Sequence, residues 1–289
     1  MKFFSIICII ILFFIILIVS KKIGKVFAFL VSVFFAILIT LFIYYEQTGD
    51  FAFAFDNPEK LDPAVRETKT FLDGQFDFSI IKIKEAVLLD APLLSQLPEL
   101  PRGCEVTSLA MLLQFAGADT DKMTLAAEII KDETPYSIVN GKIYYGDPND
   151  GFIGDMYSLA NPGLGVYHKP VTQLAEKYLP GRIKDITGAD FQEIKIHLSD
   201  GRPVWVITNT SFEKLPDSYF ETWHTANGTV TITYKEHAVL VTGYDNDSIY
   251  FNDPLANQKN KKAPIADFEK SWVQMGRQAI TYMHEQSGQ

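Results

Sequence analysis

The chain has 289 residues, 47% of them hydrophobic, with 35 acidic against 26 basic side chains and a net charge of −9. That balance excludes a nucleic-acid partner, because phosphate binding needs a surface excess of Lys and Arg. The two cysteines, Cys8 and Cys104, offer no disulfide framework.

Residues 3–19 are almost uninterrupted Phe, Ile and Leu, and in residues 26–45 only Ser32 and Thr40 interrupt a second apolar run. Each run is near the length that crosses a hydrocarbon core as a helix, so residues 1–46 are predicted as a two-pass transmembrane hairpin. Lys21, Lys22 and Lys25 lie in the join, whereas Glu46, Asp50 and Asp56 follow the second run. By the positive-inside rule the join faces the cytoplasm and the large remainder is extracytoplasmic, anchored at the cell membrane. The rival reading makes the first run a cleaved signal peptide. Lys2 and the apolar core fit one, but no small-x-small site follows and Ile18-Val19-Ser20 is a poor substitute. A buried hairpin of a soluble protein would need a polar face that neither run has.

Residues 47–85 mix aromatics with charges and read as a membrane-proximal spacer. The compact domain is predicted over 86–289. A strand at 86–94 leads to the turn Pro101-Arg102-Gly103 and a helix over 104–116, with apolar Val106, Leu109, Ala110, Leu112 and Leu113 on one side and Gly117 at its end. A second helix is predicted over 121–131, capped by Asp119 or Thr120. The polar, glycine-rich stretch 132–166 reads as a binding loop. Its carboxylates superficially match a calcium loop, but the glycine falls one place early and no terminal Glu stands in register. Helices at 170–178 and 189–198 follow, then strands at 203–208, 229–234, 236–244 and 248–251, and a last helix at 265–275. Helices first and strands later indicate an α+β domain with an antiparallel sheet.

Cys104 stands at a helix N-terminus, where the dipole and free N–H groups favour a thiolate. Taken alone, such a cysteine is more often a small buried apolar residue than a nucleophile. A base and an orienting group exist in a consistent order. His237 opens the apolar strand Glu236-His237-Ala238-Val239-Leu240, and Asp253 closes the next strand in Asn252-Asp253-Pro254-Leu255. With the turn at Asp245-Asn246-Asp247 between them, an antiparallel hairpin makes His237 and Asp253 neighbours. Gln96, on the approach to Cys104, has an amide that could donate to an oxyanion together with the Cys104 N–H. His168, His197 and His224 have no matching partners, and neither a zinc site nor any cofactor is implied. Trp205, Trp223 and Trp272 read as core or groove wall.

These segments, with Gly103-Cys104-Glu105-Val106-Thr107-Ser108-Leu109-Ala110-Met111, Tyr167-His168-Lys169-Pro170 and Phe268-Glu269-Lys270-Ser271-Trp272, resemble the papain-like cysteine peptidases. The closest group is that of the bacteriocin-processing, double-glycine-leader peptidases, or cysteine-peptidase family 39-like, over residues 88–279. The resemblance implies a papain-like fold, with Cys104 as nucleophile, His237 as base and acid, Asp253 rather than Asn252 as orienter and Gln96 as oxyanion donor. It implies a membrane-anchored extracytoplasmic cysteine hydrolase, a peptidase that acts through a thioester. An amidase or acyltransferase acting on cell-wall peptides, and a catalytically silent peptide-binding module, stay open. The expected partners are a polypeptide or cell-wall peptide and, through residues 3–45, the membrane, with the oligomeric state open. Bacteriocin-processing domains are fused to transporters and work in the cytosol, so leader removal is not carried over.

Overall fold

The computed structural model describes residues 83–285. β1 (Val87–Leu88) is followed by an extended approach that turns at residues 97–99 and delivers Cys104 to the first turn of α1 (Cys104–Phe115). The predicted amphipathic helix is instead buried on all sides from Cys104 to Leu113. A helix packed between a sheet and other helices has no solvent face to mark with charge. Its polar residues are satisfied internally: Thr107 Oγ1 donates to Gly103 O at 2.6 Å, and Ser108 Oγ donates to Ala238 O at 3.0 Å.

α2 (Lys122–Glu128) is capped by Asp121, whose carboxylate accepts the N–H groups of Met123 and Thr124 at 2.7 and 2.9 Å. Neither Asp119 nor Thr120 is the cap, and the helix stops early because Ile129 turns to extended geometry (φ −60°, ψ 133°) on the way to β2 (Lys131–Asp132). The stretch predicted as a loop holds β3 (Ser137–Val139), β4 (Lys142–Tyr144) and β5 (Phe152–Ile153) as well. Then come α3 (His168–Tyr178), β6 (Ile183–Asp185), α4 (Phe191–Ser199) and β7 (Val204–Asn209). β8 (Glu221–Thr225), β9 (Gly228–Ile232), β10 (Glu236–Tyr244), β11 (Ser248–Asp253) and β12 (Gln258–Pro264) lead to α5 (Ile265–Gln274) and β13 (Ala279–Tyr282).

The main sheet runs β12-β11-β10-β7-β13-β6, all antiparallel, and β1 pairs with β10 beyond the stretch that β7 covers. β7 is buried at every position and β10 from His237 onward. Such strands read as continuous apolar runs because helices cover both faces. Trp205, Ile207, Ala238, Leu240 and Ile280 pack with α1, α2 and α3 on one face. Val204, Val206, Val239, Val241 and Ala279 pack with α4 and α5 on the other. A second sheet, β3-β4-β8-β9, carries a small core around Trp223 and Tyr145.

The mixed helix-and-sheet architecture holds, and the fold expectation is corrected in one respect. Its two transmembrane helices have no support, because no helix among the described residues is long and apolar enough to cross a membrane. α1, with 12 residues, falls short of the roughly 20 that a span requires. The runs at 3–19 and 26–45 lie outside the described residues.

Candidate active site

The site forms where the first turn of α1 meets the first residues of β10. The bond from Ser108 Oγ to Ala238 O ties helix to strand, and Trp205 Nε1 donates to Glu105 O at 3.0 Å from the next strand. Cys104 is 7% exposed and His237 2%, and both line a cavity of about 270 Å³ with Gln96, Arg102, Tyr234 and Glu236. The Cys104 N–H makes no hydrogen bond among the described residues.

His237 and Asp253 meet as the hairpin geometry requires. His237 Nε2 lies 2.9 Å from Asp253 Oδ1, with both side chains buried. A bulge between Val241 and Gly243 in the β10–β11 pairing adjusts the register. Asp253 also accepts the N–H groups of Leu255 and Ala256 at 3.0 and 3.1 Å and the Lys261 ammonium at 2.8 Å. Burial works to raise its pKa, but the His237 hydrogen bond and charge, then Lys261 and the Ala256 N–H, hold it far below the usual carboxylate range. Asn252, the competing orienter, faces elsewhere. Its amide donates to the Ala91 and Pro92 carbonyls at 3.2 and 2.8 Å.

Gln96 is in the cavity wall and buried, but its amide N–H groups donate to Leu100 O at 3.2 Å and Pro101 O at 3.0 Å, leaving Oε1 buried without a partner. In this arrangement it presents no free donor. Arg102 donates through Nη1 to the Asp155 and Ser158 carbonyls.

Two acids escaped the sequence reading. Cys104 Sγ donates to Glu105 Oε2 at 3.3 Å, and Cys104, Glu105 and Glu236 each bring a ligating atom within 4.8 Å of the others. Among the described residues this is the one cluster of three such groups, and a thiophilic divalent ion there would ligate the nucleophile candidate itself. Burial pushes Glu105 up to about 7, and burial plus the Glu105 charge pushes Glu236 well above its ordinary range. Burial, followed by those two acids, raises the Cys104 thiol as well. The available signal was a charged residue beside each candidate, Glu105 directly after Cys104 within an apolar run and Glu236 directly before His237.

The other histidines lie apart from the cavity. His168 Nδ1 pairs with Asp185 Oδ2 at 2.5 Å, His224 stacks on Tyr144, and His197 is buried beside α4's own Glu193. The three tryptophans are core residues, at most 1% exposed.

Residues 88–280 match the family model described as "Peptidase_C39 like family". The chain belongs to the C39-like peptidase family. It is 48% identical over 194 residues to the uncharacterized protein YvpB of Bacillus subtilis (strain 168), an alignment covering 66% of this chain and 74% of YvpB. It is also 48% identical to a crystal structure from Bacillus anthracis designated a C39-like peptidase, with a TM-score of 0.66 over 71% of this chain and all of that one. Neither relative carries an established activity. The family assignment therefore covers the whole site described above, from the β1 approach to β13, and leaves the reaction to be argued from the geometry.

Proposed function

We propose that this C39-like domain is a cysteine peptidase that hydrolyses amide bonds of a polypeptide through Cys104, His237 and Asp253. The observation that carries this reading is the buried 2.9 Å contact between His237 Nε2 and Asp253 Oδ1 in the wall of the cavity that holds Cys104. Because Asp253 engages Nε2, Nδ1 is the nitrogen left for the thiol. His237 takes the Cys104 proton and the thiolate attacks the carbonyl carbon. Collapse of the tetrahedral intermediate breaks the C–N bond as His237 protonates the leaving amine. Water, deprotonated by His237, then cleaves the thioester and restores the thiol. The Cys104 N–H at the helix start is one donor to the oxyanion. Gln96 supplies the second by exchanging its longer bond, 3.2 Å to Leu100 O, for the developing charge.

The silent-module reading has one observation in its favour: the thiol donates to a carboxylate and sits beside two acids that disfavour its ionisation. Labelling with a thiol-directed peptide electrophile separates the two. Selective modification of Cys104 that slows by about 10²–10⁴-fold in His237→Ala supports the peptidase. Equal, slow labelling of both proteins sinks it.

A further inference from the structure

Two carboxyl groups press on the nucleophile, and the triad does not use them. Glu105 follows Cys104 on α1, and Glu236 precedes His237 on β10. The three ligating atoms lie within 4.8 Å of one another, and Cys104 Sγ is 3.3 Å from Glu105 Oε2. Glu105 is fully buried, with Oε1 accepting the Val166 N–H at 2.8 Å. Glu236 Oε1 is shut off from solvent and has no hydrogen-bond partner. The backbone at Gly165 closes over both acids. A Cβ there would stand 2.1 Å from Glu105 Oε1 and 3.0 Å from Glu236 Oε2, so only glycine lets the chain roof the pair.

Two carboxylates this close, away from water, cannot both ionise freely. A buried carboxylate oxygen without a donor is tolerated when its group is neutral. Among the described residues, no permanently charged cation stands against the pair. Cys104 faces it from α1 and His237 adjoins it on β10, while Tyr167 ahead of α3 adds no positive charge. Among the described residues no Lys or Arg pairs with either acid.

We infer that Glu105 and Glu236 form a proton-holding pair, and that the proton they keep is what allows Cys104 to carry negative charge beside them. The inference rests on the nucleophile assignment proposed above. When the thiol proton moves to His237 Nδ1, the thiolate faces one ionised and one neutral carboxyl group. If the pair then loses its proton to solvent, three negative charges face the single positive charge of His237, and the thiolate is disfavoured. The pair, acting through Cys104, thereby sets the alkaline limit of the site. The elevated values of Glu105 and Glu236 agree with this order of events. Glu236 is a positioning residue in this scheme, and Glu105 touches the reacting sulfur.

The test is the pH profile of Cys104 alkylation by iodoacetamide, read on the Cys104 peptide by mass spectrometry, in the full chain and in Glu236→Gln, Glu105→Gln and His237→Ala. Glutamine mimics the neutral acid. Glu236→Gln should match the parent near about pH 6 and alkylate about tenfold faster near about pH 9, the effect of one pH unit in thiol ionisation. Glu105→Gln is read the same way if Glu236→Gln does not fold. Superimposable profiles for the parent and the folded glutamine variants overturn the pair while leaving the triad standing, provided His237→Ala changes the profile. An unchanged profile in His237→Ala removes the nucleophile assignment and the inference with it.

Discussion

Asp253 is the most heavily partnered carboxylate in the site, and its neighbours say how it works. The Lys261 ammonium lies 2.8 Å from Oδ2 and 4.5 Å from the centroid of the Phe212 ring, so the cation is held by a carboxylate and an aromatic face together. Its effect is to help hold Asp253 ionised. Asp253→Asn should lower kcat/KM on a peptide substrate by about 10²–10⁴-fold with little change in KM, because in the proposed mechanism Asp253 acts on His237 and not on substrate binding. An unchanged kcat would remove Asp253 from the mechanism. Lys261→Met should cost about tenfold at most, since the Leu255 and Ala256 N–H groups still support the carboxylate. Cys104, His237 and Asp253 were readable as candidates because each lies at the end of a local element. Lys261 was not, because it reaches Asp253 across a strand pairing that no local pattern encodes.

At the level of elements, β10 is the member on which the site depends, and Gly243 is its most constrained residue. A Cβ at that position would meet Val87 O at 2.2 Å and Leu88 Cα at 2.8 Å, so β1 can lie on β10 only if residue 243 has no side chain. Gly243→Ala should displace β1 and lower stability by about 1–3 kcal/mol, seen as a lower urea midpoint at unchanged slope. A midpoint equal to the parent's would show that β1 contributes nothing to the sheet. The same changes at α2 are smaller. Asp121→Ala should cost about 1 kcal/mol through two lost cap bonds, whereas Asp119→Ala should be neutral. Strands β7, β10 and β11 were readable from their apolar runs. β6, β8, β12 and β13 were not: β12 (Gln258–Pro264), rich in Lys and Asn, gains its order from the neighbour it pairs with, and β6 and β13, with 3 and 4 residues, are too short to show a pattern.

For the molecule as a whole, stability against pH is shaped by buried groups with opposed demands. Burial, then the charges of Arg202 and Lys184, push His197 down from 6.5 to about 4. The folded state thus favours the neutral imidazole, a contribution present above 6.5 and lost as pH falls through about 4. Glu105 has the reverse sign. Its protonated form is favoured in the fold, so its contribution is present below 4.5 and lost as pH rises through about 7. Replacing His197 by Gln should flatten the fall of the urea midpoint between 6.5 and 4, and an unaltered slope would show that His197 is solvated in the fold. By itself the sequence determined the buried strands, the helix that starts at Cys104, the pairing of His237 with Asp253 and the family to which they belong. The first three follow from periodicity, turn chemistry and short-range order, and the family from the resemblance of the motifs around Cys104, His237 and Asp253. Only the tertiary structure decided that Gln96 spends its N–H groups on Leu100 and Pro101, that Lys261 stands behind Asp253, and that Glu105 and Glu236 meet at the sulfur. The reason is physical: Glu236 lies 131 positions from Glu105 along the chain, and contact across that separation is set by strand register and helix docking, which local propensity does not contain.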